Sequence, residues 1–432
     1  MIKKLMILSI LMLHVVYANN CLKCHQNKMW QLKHSLHYTL KDAINITRDT
    51  WGVKESNVTL QTLPEPKAVV TKPADLVDDF LRRKCLRCHL QSRQINKTGN
   101  ICLACHNRHF NRYDAKKAIA PMSKCLKCHN NEYIGTNYLG LFPHDYDQSY
   151  RSPIMKNGDY PNTKYGIDQH HLISDIHHKK GLTCIDCHNK NHVKPGQGWD
   201  GVLSCISCHK HLSKKYHKSY HKNISCSACH SSWSGDSYEL NVLRDDTANY
   251  KQWSRLTMQE DPYLQKFLQK ALKENPPPRP MMPDYIDNKL KPGIWYSGWL
   301  FRRWENFYLI NSDNGKVMIA RPMYQYKISY KNKNGKMVLN NVSKLNNGTP
   351  IQVFLPYTPH TITKQAKSCE MCHDNPLLQI NARKNVILSN VLIPKRIVGG
   401  YFLTNKQIQQ LHSKKYKLIR AKMLFLNKIQ SN

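Results

Sequence analysis

The chain has 432 residues, a formal net charge of +36 and a mean hydropathy of −0.60. Beyond the amino terminus, no apolar stretch approaches the ~20 residues that a membrane-spanning helix needs, which excludes a protein with several such helices. All 16 cysteines lie in copies of one short motif, and this motif dominates the interpretation of the sequence.

Residues 1–18 are typical of a secretory signal peptide. Lys3 and Lys4 precede an apolar run from Leu5 to Val16, and the small residue Ala18 ends the expected cleavage site. The run is shorter than the ~20 residues of a membrane span, so a retained anchor is the less favoured alternative. We therefore expect an exported protein, periplasmic in a bacterium.

Eight copies of Cys-x-x-Cys-His follow. Two thiols three residues apart reach the two vinyl groups of one porphyrin, and the next histidine becomes the proximal iron ligand. Zinc ribbons and thioredoxin-like pairs do not require a histidine after every second cysteine. We therefore predict eight covalently attached haem c groups. The cysteines are Cys21, Cys24, Cys85, Cys88, Cys102, Cys105, Cys125, Cys128, Cys184, Cys187, Cys205, Cys208, Cys226, Cys229, Cys369 and Cys372. The proximal histidines are His25, His89, His106, His129, His188, His209, His230 and His373.

Motif spacing predicts the domain organisation. Residues 19–235 carry seven motifs, residues 236–358 carry none, and residues 359–432 carry the eighth. Roughly 50 residues per motif leave little conventional core, so haem faces would supply buried apolar surface. We expect a mainly α fold, a multihaem cytochrome c with short helices around stacked haems and a small β insertion between haems seven and eight.

The insertion, residues 236–358, has mixed α+β patterns. Apolar periodicity predicts a helix over Tyr263–Leu272, and the prolines at 276–280 cannot continue it. An Asn-Gly turn precedes a predicted strand at Lys316–Ala320. A second Asn-Gly turn joins Tyr324–Tyr330 to Lys336–Leu339, which predicts a hairpin.

The C-terminal tail, Thr404–Gln430, is predicted to be a basic amphipathic helix. Ile408 and Leu411 begin its apolar side, and lysines occupy the others. Packing against the haem core is the favoured interpretation. Docking on a partner or peripheral contact with a membrane is the alternative.

Each iron that only carries electrons needs a second axial ligand. The chain has 23 histidines, so the supply exceeds the need. His178 and His221 lie six and five residues before Cys184 and Cys226, a spacing often used in multihaem chains. For each candidate, a solvated surface histidine is the alternative. The predicted distal ligands are His37, His109, His171, His178, His192, His217, His221 and His360.

Charge restricts the partners. Loss of Lys3 and Lys4 with the signal lowers the net charge from +36 to +34. Two propionates on each haem would lower it further to roughly +18. A basic surface attracts acidic redox proteins, small oxyanions and anionic lipid. Nucleic acid is not expected as a partner in this compartment.

On these motifs the chain resembles the octahaem c-type cytochromes, a group that includes octahaem tetrathionate reductase, octahaem nitrite reductases and the hydroxylamine oxidoreductase family. The resemblance covers Cys21 to His230 and His360 to His373, and it rests on haem number, size and export. It implies a largely helical periplasmic protein with bis-histidine haems around one catalytic haem.

Two departures separate the chain from the enzymes of that group. It has no Cys-x-x-Cys-Lys motif, and only 59 residues follow His373, too few for the long helical region of hydroxylamine oxidoreductases. No catalytic residue is transferred.

Two functions stay open. The favoured one is electron transfer in anaerobic respiration, between a quinol dehydrogenase and a terminal reductase. The alternative is an octahaem reductase or oxidoreductase that acts on nitrite, hydroxylamine, sulfite or tetrathionate at one haem without a distal protein ligand.

Overall fold

The computed structural model describes residues 26–85, 106, 125, 136–138, 172–188, 203–210, 221–231, 239–253, 262–300, 308–322, 325–345, 347–348, 351, 353–374, 396–418 and 421. The predicted signal peptide, the first motif and most of motifs two to four lie outside these residues. The tail beyond Leu418 lies outside them as well, apart from one residue.

The fold is mixed α and β, and the prediction of a mainly α fold is wrong. The described residues form thirteen strands in four sheets, far more than a small β insertion. Their helices are short: the longest have 10 residues, and each described haem motif forms about one turn. The error arose because many of these strands pair with partners far away in the sequence, and the hydrophobic periodicity of a short segment does not reveal such a partner.

The helices are given in chain order. They are α1 Gln26–Lys33, α2 Leu36–Thr39, α3 Lys41–Thr50, α4 Val77–Phe80, α5 Ile176–Lys179, α6 Cys184–Cys187, α7 Cys205–Cys208, α8 Cys226–Cys229, α9 Pro262–Ala271, α10 Cys369–His373 and α11 Asn405–His412. A 3-10 turn at Pro73–Leu76 precedes α4, and a π-helical turn at Leu81–Cys85 follows it.

The strands are also given in chain order. They are β1 Thr136–Tyr138, β2 Leu172–Ser174, β3 Glu239–Asp245, β4 Met281–Pro283, β5 Leu290–Pro292, β6 Ile294–Leu300, β7 Tyr308–Ser312, β8 Val317–Pro322, β9 Gln325–Lys331, β10 Met337–Val342, β11 Val353–Tyr357, β12 Arg396–Ile397 and β13 Gly400–Phe402.

A four-stranded sheet has the order β10-β9-β3-β6. Strand β3 pairs parallel with β9 and antiparallel with β6. The β9–β10 pairing is antiparallel, with register irregularities between Met337 and Leu339 and between Leu339 and Val342. Asn341 has a positive φ of 52° within the irregular part of β10. This edge strand is therefore bent rather than flat.

A five-stranded sheet has the order β12-β11-β8-β7-β13. Strands β7 and β8 form a hairpin, β11 pairs antiparallel with β8, and β12 and β13 come from beyond the eighth motif. The chain therefore returns to this sheet after Cys369–His373. Two smaller ribbons pair β1 with β2 and β4 with β5.

Several local predictions are confirmed. Helix α9 covers the predicted segment within one residue at each end. The two Asn-Gly turns join β7 to β8 and β9 to β10, with Gly315 and Gly335 at φ values of 76° and 77°. A side chain at either glycine would be strained, which explains the residue choice. The predicted C-terminal helix ends earlier, at His412, because Ser413 is extended, and another helical turn covers 415–418.

The segment between the first two motifs shares a core with the four-stranded sheet. Ile44, Leu76 and Phe80 are at most 1% exposed and belong to the same apolar cluster as Trp295 and Ile328. The rings of Phe80 and Trp295 lie 5.2 Å apart. Residues assigned by motif spacing to the haem-bearing part thus pack on the β strands of the insertion.

A buried ion network reinforces this contact. The Asp79 carboxylate accepts hydrogen bonds from Arg83 at 2.5 Å, Trp295 at 2.9 Å and Arg244 at 3.1 Å. Arg83 also donates to the carbonyls of Pro292 and Gly293. Because removal of one partner would leave a buried charge unpaired, such a network fixes one arrangement. It anchors the π-helical turn that leads into Cys85.

Three acidic side chains, Glu65, Asp284 and Asp287, converge within 4.8 Å of one another. Two cations already occupy the centre of this group. Arg82 donates to Glu65 and Asp284, and Lys291 contacts all three carboxylates. The cluster is therefore a structural ion network rather than a metal site.

Asp75 provides a test of the segment's stability. Burial acts to raise its pKa, but hydrogen bonds from Lys67, Thr71 and Lys72 outweigh burial and lower the pKa from 3.8 to about 2. The carboxylate therefore stabilises the fold above pH 4, and this contribution is lost as the pH falls from 4 to 2. We expect Asp75→Asn to lower the free energy of unfolding by about 1–2 kcal/mol at pH 7.

The difference between wild type and Asp75→Asn should shrink between pH 4 and pH 2. Denaturant unfolding followed by circular dichroism measures it. Glu274→Gln is the control, because Glu274 forms only a surface pair with Lys270 at 3.4 Å and should change stability by less than about 0.5 kcal/mol. A pH-independent difference for Asp75→Asn would contradict the role of ionisation.

Candidate haem sites

Motifs five to eight each fold into one helical turn. The motif histidine follows the turn directly in motifs five to seven and is its last residue in motif eight. The amide of His188 donates to Cys184 at 2.8 Å, and His209 and His230 make the equivalent bonds to Cys205 and Cys226. One turn places residues i and i+3 on the same face. The two thiols of a motif therefore point to the same side, as attachment to one porphyrin edge requires.

The sequence around each motif favours this turn. Thr183 and Asp186 form a capping box at α6. Ser225 precedes α8 and accepts a hydrogen bond from the amide of Ala228. Ser204 and Ser368 precede α7 and α10 in extended conformation. Serine and threonine are favoured at this position because their side-chain oxygen can accept a hydrogen bond from a free amide of the first helical turn, as Ser225 does.

Three motif histidines lie opposite a second histidine. The ring centroids of His209 and His177 are 6.2 Å apart. The centroids of His188 and His360 are 6.3 Å apart, and so are those of His373 and His221. The planes within these pairs are inclined by 51°, 34° and 32°.

These separations match two imidazoles on opposite sides of one metal ion. A metal–imidazole nitrogen bond is about 2.0–2.1 Å long, and the ring centroid lies roughly 1.1–1.2 Å behind that nitrogen by ordinary bond geometry. Two such arms give about 6.2–6.5 Å. Direct aromatic contacts span roughly 4.5–7 Å between centroids, so the separations are compatible with a ring contact as well as with a shared metal. The donor set therefore fits iron held by two histidines.

The opposing histidines come from other parts of the chain. His177 lies on α5, ahead of the fifth motif, and faces the sixth. His221 precedes the seventh motif and faces the eighth. His360 follows β11 and faces the fifth motif, so the five-stranded sheet contributes a ligand position. Each pair thus joins two chain segments, and no motif is completed by its own flanking histidine in these three cases.

The ring of His373 is oriented by the C-terminal region. Its Nδ1 lies 2.8 Å from the carbonyl oxygen of Leu411, and the ring stacks on Tyr416 with centroids 4.8 Å apart. The Tyr416 hydroxyl donates to Asp374. A bond from Nδ1–H to a carbonyl leaves Nε2 as the metal-binding nitrogen and fixes the ring.

Protonation also suits ligation at His221. Partial burial of the ring and the neighbouring imidazole of His373 lower the pKa of His221. This shift of the pKa favours the neutral form of the ring. A neutral imidazole is the form that binds a metal.

Thiols of consecutive motifs lie near one another. Cys125 contacts Cys184, which lowers the pKa of Cys125 to about 7 and, with burial, raises that of Cys184. A contact with Cys226, together with burial, raises the pKa of Cys205. Burial and then the nearby Cys229 and Cys369 raise the pKa of Cys372 to about 12. Motifs four and five, six and seven, and seven and eight are thus neighbours in space.

Backbone contacts agree with this order. The amide of Leu203 donates to Cys187 at 3.0 Å, which joins motifs five and six. The amides of Thr363 and Lys367 donate to His230 and Cys229. Motif seven is therefore tied to the segment that leads into motif eight.

The sheet supports the last two motifs directly. Ala228 of motif seven and the half-buried Cys372 and Leu411 pack in the cluster of Tyr308, Ile319 and Phe354. Ser225 donates its amide to Val317 of β8, and Val317 donates back to Asn223.

The predicted distal ligands have different outcomes. His221 and His360 each face a motif histidine, as described above. The amide of His178 donates to Asp175, and the prediction that its ring is a distal ligand stays a prediction. The ring of the neighbouring His177 lies 6.2 Å from that of His209. His37 is exposed on α2. His109, His171, His192 and His217 lie outside the described residues, as do the motif histidines His25, His89 and His129.

His177 does not belong to the predicted distal ligands, although it is adjacent to His178, which does. Neighbouring positions on a helix differ by about 100° in direction. Asp175 determines where α5 begins, because its side chain accepts a hydrogen bond from the His178 amide. The start of the helix in turn determines the directions of the His177 and His178 side chains. An Asp two residues ahead of a histidine pair is the sequence feature that indicates a helix start here.

No family model matches the chain, and neither a curated protein nor a solved structure matches it. Within the part of the chain that the structure describes, no helix is long and apolar enough to cross a membrane.

The choice between the adjacent histidines can be tested. Under the haem prediction, His177→Ala should leave about one haem without its second ligand, because the ring of His177 lies 6.2 Å from that of His209. We expect a high-spin ferric EPR signal equivalent to about one haem per molecule. His178→Ala is the matched control and should leave the His209 site low-spin. If the His209 site becomes high-spin in His178→Ala but not in His177→Ala, the pairing of His177 with His209 is wrong.

Tyr416 offers a second test. Tyr416→Leu removes the ring stacked on His373, so that imidazole should rotate and the low-spin EPR g values of about one haem in eight should shift. Tyr416→Phe keeps the ring and should shift them less. The control is Tyr401→Leu, since Tyr401 is 50% exposed on β13. Identical spectra for wild type and Tyr416→Leu would contradict an orienting role.

Proposed function

We propose that the protein is an exported, periplasmic octahaem c-type cytochrome that transfers electrons in anaerobic respiration. One observation carries the proposal: three motif histidines each face a second histidine at the separation of a bis-histidine iron site. Reactive cysteine pairs or zinc sites would not require this arrangement. The sixteen motif cysteines would hold the haems, and the paired histidines would bind the irons.

Haem iron in this environment would supply one-electron oxidation and reduction. At the three described pairs, two histidines would hold each iron, which would leave these sites no position for a substrate. That favours electron transfer over catalysis at motifs five, six and eight. The protein's own contribution is to hold the imidazoles on both sides and to keep the sites close in space.

The order of the motifs favours a path along the chain. Thiol contacts join motif four to five and six to seven, a backbone hydrogen bond joins motif five to the residue two before motif six, and backbone hydrogen bonds tie motif seven to the segment that leads into motif eight. Neighbouring haems would then exchange electrons without any change in residue chemistry. The net charge of +36 favours acidic redox partners, with a quinol dehydrogenase as donor and a terminal reductase as acceptor.

Haem content and spin state test the proposal together. Mass spectrometry of the purified protein should show eight haem additions on a chain that begins at Asn19. EPR of the oxidised protein should show the His188, His209 and His373 haems as low-spin. A mass without haem, or high-spin iron that His177→Ala and His360→Ala do not increase, would overturn the proposal.

A further inference from the structure

Asp175 is a buried carboxylate, 8% exposed, whose two oxygens bond to two distant parts of the chain. Its Oδ1 accepts the amide of His178 at 2.9 Å, which caps α5. Its Oδ2 accepts the amide of Ile362 at 3.2 Å. An ordinary helix cap bonds only within its own helix, whereas this one also crosses 187 residues of sequence.

Each of these bonds lies beside one of the opposing histidines. His177 follows Asp175 by two residues and faces His209 of motif six. His360 precedes Ile362 by two residues and faces His188 of motif five. We propose that Asp175 is a positioning residue that holds two axial histidines of two different haems through one carboxylate. This inference rests on the proposed function.

Backbone contacts reinforce the junction. The amide of Ile176 donates to the carbonyl of Ile362 at 3.2 Å. Ile362 also bridges to Ser231, and Thr363 donates to His230 at 3.0 Å. The segment that carries His360 is therefore fixed on one side to α5 and on the other to motif seven, and among the described residues Asp175 supplies a carboxylate to this junction.

The chemistry requires a carboxylate at this position. Two amide N–H groups approach the two oxygens, and an ionised carboxylate accepts at both. Asparagine has one oxygen, and its NH₂ group would face an amide donor at the other bond. Alanine would leave both amides without this acceptor in a buried place. Asp175→Asn should therefore loosen one histidine, and Asp175→Ala should loosen both.

Carbon monoxide titration of the reduced protein tests the proposal, because CO binds ferrous haem that lacks one axial ligand. We expect Asp175→Ala to bind about two more CO per molecule than wild type, and Asp175→Asn about one more. His177→Ala and His360→Ala should each add about one. Asp175→Ala combined with His360→Ala should still add about two, since both changes open the same site.

Asp75→Asn is the matched control. Asp75 is also buried and caps a helical turn through backbone amides, but no histidine lies beside it in sequence. It should lose stability without extra CO uptake. CO uptake at the wild-type level in both Asp175 variants would overturn the positioning role. If Asp175→Ala does not mature, Asp175→Asn decides alone.

The experiment distinguishes failure of the haem assignment from failure of the Asp175 proposal. A wild-type protein without eight haems, or one in which His177→Ala and His360→Ala add no CO, would overturn the haem assignment itself. Additional CO uptake in both histidine variants with none in the Asp175 variants would overturn only the role of Asp175.

Discussion

The structure depends on one geometric constraint: two imidazole rings must be held about 6.2–6.5 Å apart, facing each other, if an iron is to bind both. A motif fixes only one of the two, because its histidine follows directly on a helical turn. The second imidazole must come from another segment of the chain, and its ring must be held apart from the first. The capped helix before motif five, the end of β11 and the carbonyl of Leu411 all serve this separation.

The β sheets hold the described motifs in place. A protein interior is close-packed and has low compressibility, so a motif that packs on a sheet is held more rigidly than one in a loop. The cluster around Phe354 and Ile319 includes Ala228 and the half-buried Cys372. Motifs seven and eight therefore pack directly on the sheet. The segment between the first two motifs is fixed in the same way, through Asp79 and the apolar contact of Phe80 with Trp295.

Local chemistry was predictable from the sequence, and long-range pairing was not. The motifs, helix α9 and both Asn-Gly hairpins follow from residues within a few positions of one another. The parallel pairing of β3 with β9 joins Glu239 to Gln325, and no local period encodes such a partner. The same limit applies to the site. His221 and His360 stood out as candidates, but their partners depend on tertiary contacts, and His177 differs from His178 only by the phase of a single turn.

The bent edge strand β10 has a consequence for the life of the chain before it is complete. β-hairpins form in about 1–10 μs, so under the proposed function the sheets would exist while much of the haem-dependent interior is unfinished. An open, regular edge would then recruit the same strand of another molecule. The two register irregularities and the left-handed Asn341 weaken that template at the β10 edge. At this edge the sheet would therefore resist polymerisation while haem attachment is incomplete.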